Sequence, residues 1–123
     1  MPIFTNSLEV KEVDTTDATP TTLVTIPIAE DCAGRLQMII IGRAPAPPGF
    51  SGTWSIDYGF EREPGANPAV VGTGTKNKMG SLGAANWDVN VTTSGVDILV
   101  QVIGDVGDDA HWTYTGHFIA CQK

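Results

Sequence analysis

Apolar and polar residues alternate with a period of two through most of this chain. In GTWSIDYGFER (52–62), Trp54, Ile56, Tyr58 and Phe60 alternate with Ser55, Asp57, Gly59 and Glu61. That period places the first four on one face of a strand and the small or acidic residues on the other. TTLVTIPI (21–28) repeats the pattern, with Thr22, Val24, Ile26 and Ile28 expected on one face. So do Trp87, Val89 and Val91, then Val96, Ile98, Val100 and Val102, and finally Trp112, Tyr114, Gly116, Phe118 and Ala120. No stretch keeps a helical period over ten residues.

The segments between these runs read as turns. DTTDATP (14–20), AEDCAG (29–34), EPGANP (63–68) and GDVGDDA (104–110) are polar and rich in turn formers. TSG (93–95) is short enough to join its flanking strands as an antiparallel hairpin. APAPPG (44–49) is too proline-rich to continue a strand and reads as a stiff loop. GTKNKMGSLG (74–83) reads as a polar hairpin tip, LEVKEV (8–13) as an edge strand, and residues 1–7 as an N-terminal arm before a single domain over 8–123. The sum predicts an all-β fold: an antiparallel β-sandwich of seven or eight strands, jelly-roll or immunoglobulin-like, with a small barrel as the alternative. Its core should contain Trp54, Ile56, Tyr58, Trp87, Val89, Ile98, Val100 and Trp112.

Two runs carry apolar residues on both faces. In GRLQMIIIGR (34–43), Ile39 and Ile41 oppose Leu36, Met38 and Ile40; in VDILVQVI (96–103), Leu99 and Ile103 oppose Val96, Ile98, Val100 and Val102. A two-layer sandwich has one inner face per sheet, so Ile39, Ile41, Leu99 and Ile103 are the candidate interface residues. If both strands share a sheet, the four form one patch, and such a patch marks a subunit contact. A homo-oligomer is expected.

Composition narrows the partners. Fourteen acidic against seven basic residues give a formal charge of -7, which argues against nucleic acid. No run of eighteen apolar residues suggests a membrane span, and no cationic, apolar N-terminal stretch suggests secretion. Cys32 and Cys121 are therefore expected as free thiols made in a cytoplasm; a disulfide requires the strands that carry them to be neighbours.

Candidate chemistry is sparse. His111 and His117 lie six residues apart in one strand, roughly 20 Å in extended backbone, too far to share a metal. Asp105, Asp108 and Asp109 have the composition of a calcium loop without its fixed ligand spacing and read better as a charged turn. Asp57 and Glu61 share a strand face about 13–14 Å apart, and Asp88 approaches them only from an adjacent strand, so a glycosidase pair does not follow. No nucleophile elbow or complete phosphate loop is present. The expectation is no enzyme and no cofactor. The tryptophans all fall on core parities, which weakens a sugar-binding reading.

The string VDTTDATPTTLVTIPI, the later WDVNV, and VDILVQVIGDVGDDAHWTYTG together resemble small β-domains of tailed bacteriophages, over residues 13–115. The resemblance implies a virion structural protein made in the host cytoplasm: a tail or fibre-associated part, or a capsid decoration protein. It implies contact with other virion proteins and a trimer in preference to a dimer. Its alternative is a carbohydrate-binding domain that meets a host surface glycan. It brings no functional residue set with it.

Overall fold

The structure is a computed structural model that describes residues 3–7, 11–45 and 49–123. The start of the expected 8–13 strand and residues 46–48 of the proline loop lie outside the described residues. The described strands are β1 (Ile3–Ser7), β2 (Glu12–Thr15), β3 (Thr21–Pro27), β4 (Cys32–Ala44), β5 (Phe50–Arg62), β6 (Ala69–Gly80), β7 (Asp88–Ser94), β8 (Asp97–Ile103) and β9 (Ala110–Gln122), with one 3-10 turn at Leu82–Ala84. All pairings are antiparallel. The large sheet runs β1-β9-β4-β5-β6, with β2 also on β9; the small sheet runs β3-β8-β7. β1 pairs with the far half of β9 and β2 with its near half, so the two share one lane and the sandwich has eight lanes. Four connections cross between the sheets, after β2, β3, β6 and β8.

The alternation places the core. Leu36, Met38, Ile40, Trp54, Ile56, Phe60, Trp112, Tyr114 and Phe118 of the large sheet meet Ile26, Val89, Ile98, Val100 and Val102 of the small one. Of the expected core residues only Tyr58 is partly exposed, packed against the core edge beside Phe60. At the centre Trp112 lies between Trp54 and Trp87, with ring centroids 5.3 and 5.4 Å away. Cross-strand partners Gly42 and Gly52 make room for these rings. A Cβ on Gly42 would stand 2.8 Å from the Trp112 ring, so a larger residue would displace it.

Four local readings change. In β3 a bulge between Thr22 and Val24 shifts the parity, so Leu23 is buried and Thr22 exposed. Residues 69–80 form one long edge strand, β6, rather than a short run and a hairpin tip. Asp14 and Thr15 belong to β2 rather than to a turn. The Gly95–Val96 turn closes the β7–β8 hairpin, with Gly95 at φ 57°, and Val96 is exposed there instead of facing the core.

β6 and β7 form the edges on one open side of the sandwich. By register with Trp54 and Ile56, Lys78 and Lys76 point from β6 toward the interior. Lys76 Nζ donates to Asp88 Oδ1 (2.8 Å) and to the Val89 carbonyl (2.9 Å). Lys78 Nζ donates to the carbonyls of Ala84, Ala85 and Trp87 at 2.9, 3.2 and 2.6 Å, and lies 5.3 Å from the centroid of Trp54. Inward charges of this kind guard an edge strand against adventitious pairing.

Candidate functional site

The outward residues of β9, β4, β5 and β6 form cross-strand rows on the large sheet. One row is Thr113, Ile41, Thr53, Met79; the next is Thr115, Ile39, Ser55, Asn77. Ile39 and Ile41 are 50% and 43% exposed, where β4 parity puts them. Leu99 and Ile103 also face outward, but from β8 in the small sheet. The expectation of one four-residue patch is therefore corrected. β4 and β8 belong to opposite layers, so their backs look in opposite directions.

Beyond the isoleucine rows the face becomes charged. Arg35 grips Asp57 with two hydrogen bonds, Nε to Oδ1 at 2.8 Å and Nη2 to Oδ2 at 2.6 Å. The guanidinium holds the Asp57 carboxyl below the usual carboxylate range, and the carboxylate in turn raises Arg35. Gln37 extends the network: its Nε2 donates to Asp57 at 3.4 Å, and its Oε1 lies 3.0 Å from His117 Nε2. Gln37, Ile39, Ser55, Asp57, Thr75 and His117 line a shallow groove of about 520 Å³. At the other end of the face His111 pairs with Asp14 of β2. Asp14 raises His111 by hydrogen bonding and charge, with lesser help from Asp109 and Glu12. This groove is a polar, ion-paired surface in which Asp57 is already ionised and occupied.

The candidate catalytic and metal residues do not converge. Asp57 and Glu61 face outward on β5, whereas Asp88 lies on β7 of the small sheet and is tied to Lys76. Asp105 accepts from Asn86 Nδ2 at 2.9 Å and from the Val106 N–H at 2.8 Å, which together lower its carboxyl. Asp108 accepts the Trp87 indole N–H at 2.8 Å. Asp109 is exposed beside them. Two of the three acidic side chains thus fasten the 104–109 loop to Asn86 and Trp87, and among the described residues no three His, Cys, Asp or Glu groups are set to hold a metal. Cys32 lies opposite Gln122 and Cys121 opposite Ala33, so β4 and β9 are neighbours but the two thiols go to opposite sheet faces. Both are free, and burial raises Cys32.

The Arg35–Asp57–Gln37–His117 chain escaped the sequence reading. Its directly bonded members lie up to eighty residues apart, and only the β9-β4-β5 lane order aligns them.

No family model and no curated protein matches this chain. Among solved structures, the Acinetobacter baumannii phage AM24 tailspike protein superposes with a TM-score of 0.55 and 11% identity, over 96% of this chain and 26% of that one. A tailspike protein, gp49, from A. baumannii bacteriophage Fri1, described as a capsular polysaccharide depolymerase, gives a TM-score of 0.42 and 10% identity over 94% of this chain and 17% of that one. The chain thus spans about a quarter of the AM24 tailspike's length or less of the other. At such identity the likeness to the AM24 protein is one of fold, and the fold is that of one part of a phage tailspike.

Proposed function

We propose that this chain is a non-enzymatic structural component of a tailed-phage particle, built into the tail, its fibres or its spikes and in contact with other tail proteins. The observation that carries the reading is the match of 96% of the chain to one part of a phage tailspike. Together with the phage-like strings in the sequence, it favours the tail over a place on the capsid. Free thiols on opposite sheet faces fit a protein made in a host cytoplasm and used in the particle. The separation of Asp57 from Asp88 across two sheets supports a role without hydrolysis. Immunogold labelling of intact particles tests the placement: label on the tail is expected, and label confined to the head, or none, overturns it. Polysaccharide cleavage by the purified chain that Asp57→Asn abolishes would overturn the non-enzymatic part.

The hydroxyl and amide groups around Gln37, Ser55 and Thr75 favour a second reading, contact with a host surface glycan. Labelled protein that binds host cells, and loses binding once the surface polysaccharide is stripped, would support it.

A further inference from the structure

We infer that the outer face of the large sheet is the docking surface for a second copy of this chain, the two faces meeting about a two-fold axis that crosses β4 at the level of Ile40. Among the exposed large apolar residues, Ile39, Ile41, Val71, Met79 and Ile119 all fall on this one face by register. Exposed apolar residues concentrated on one face mark a contact rather than ordinary surface scatter.

Area and charge choose the occupant. The face has five lanes, and β4, β5 and β9 are each 13 residues long. At about 4.8 Å per lane and 3.4 Å per residue it offers roughly 1,000 Å², against about 800 Å² per partner in a stable complex. A chain of formal charge -7 repels its own copies wherever carboxylates meet. Across β9, β4, β5 and β6 the two isoleucine rows hold no charged side chain; charge begins at the rim, with Glu12 of β2 beside Thr113 and in the rows beyond. An uncharged centre with a charged rim is the usual layout of a protein–protein contact.

The symmetry follows from the registers. A two-fold axis at Ile40 sets Ile39 against Ile41 of the second copy and Thr113 against its Thr115. It sets Arg43, which has no carboxylate partner among the described residues, against Gln37, the neighbour of Asp57, so a guanidinium meets a polar and acidic site. A threefold arrangement along β4 would instead bring three Arg43 side chains to one level. The two-fold contact is isologous and closes on itself. The inference concerns only the contact and stands independently of any place in the particle.

The test is the solution mass of the purified chain and of the double variant Ile39→Asp, Ile41→Asp, with Leu99→Asp as a control on the opposite sheet. Wild type and Leu99→Asp should run at twice 13.0 kDa, and the double variant at 13.0 kDa with an unchanged far-UV spectrum. Both altered positions are about half exposed, so the fold should survive. If the double variant does unfold, Cys121→Ser chains carrying Ile39→Cys, mixed with Cys121→Ser chains carrying Ile41→Cys, should cross-link at least tenfold faster than either alone. A single-chain mass for wild type, a two-chain mass indifferent to both isoleucines, or no cross-linking preference would overturn the inference. A three-chain mass, or capture of a different virion protein on this face by a single-chain species, would overturn it as well.

Discussion

Trp54, Trp87 and Trp112 look equivalent by period, yet their indole N–H groups have different fates. Trp87 donates to Asp108 and Trp112 to Thr15, at 2.8 and 2.9 Å, while Trp54 Nε1 is buried without a partner among the described residues. A hydrogen bond to a charged group contributes about 1.5–3 kcal/mol, and a buried unmet donor costs a comparable amount. Trp87→Phe should therefore destabilise by at least about 2.5 kcal/mol more than Trp54→Phe, in urea titrations of the two variants. His111 offers a second test. Asp14 raises it, so the pair's contribution is fully present below the ordinary histidine value of 6.5 and is lost as pH rises through the raised folded value. NMR titration should find His111 above 6.5, and Asp14→Asn should bring it back down. The sequence made these side chains legible as core or surface but not their partners. Asp14 and His111 are 97 positions apart, as are Thr15 and Trp112.

Among elements, β6 shows where alternation stops carrying information. Nearly every residue of AVVGTGTKNKMG is exposed, because an edge strand lacks a neighbour on one side. After Val70 its inward positions opposite Ile56 and Trp54 hold Lys76 and Lys78 instead of apolar side chains, so the period that reveals β5 is absent. The run looked like a hairpin tip for that reason. Lys78→Met keeps most of the stem's packing but leaves the carbonyls of Ala84, Ala85 and Trp87 without their ammonium donor. It should cost about 1–3 kcal/mol and increase aggregation on heating, as followed by denaturant melts and light scattering. The β3 bulge is the converse case. Its strand was legible, but one extra residue exchanged Leu23 for Thr22 on the inner face, and a strict period of two cannot foresee that. β4, β5, β8 and β9 keep unbroken registers except where β5 meets β6 and β8 meets the β3 bulge, and their buried faces followed the alternation.

At the scale of the molecule, the layer count was legible and the lane order was not. Alternation states which face is buried but not which strand lies beside which, so β4 and β8 could be placed in one sheet on paper and lie in two. β9 is the strand on which this order depends: it pairs with β4 on one side and with β1 and β2 on the other. Removing residues 105–123 would leave β1 and β2 without a pairing partner, take one of the two ladders from β4, and remove Trp112 from the centre of the core. Such a truncation should lose its cooperative thermal transition altogether, as seen by circular dichroism. The same long-range pairing makes folding wait for the end of the chain. Refolding of the intact protein should fall in the millisecond-to-second range typical of sandwiches, in stopped-flow tryptophan fluorescence.

The antiparallel register of β1 on β9 sets Ile3 directly across from Cys121. One strand spacing, about 5 Å, then separates the backbone near the two ends. The covalent order of the strands is thus a separable property: Ile3 and Cys121 can be joined by a short linker and the chain reopened elsewhere. The Gly95–Val96 turn is a suitable opening, since it is exposed and a Cβ on Gly95 would touch nothing. A circular permutant cut there should keep the parent's near-ultraviolet signature, because its three indoles and eight lanes meet in the same way whatever the order in which they are synthesised.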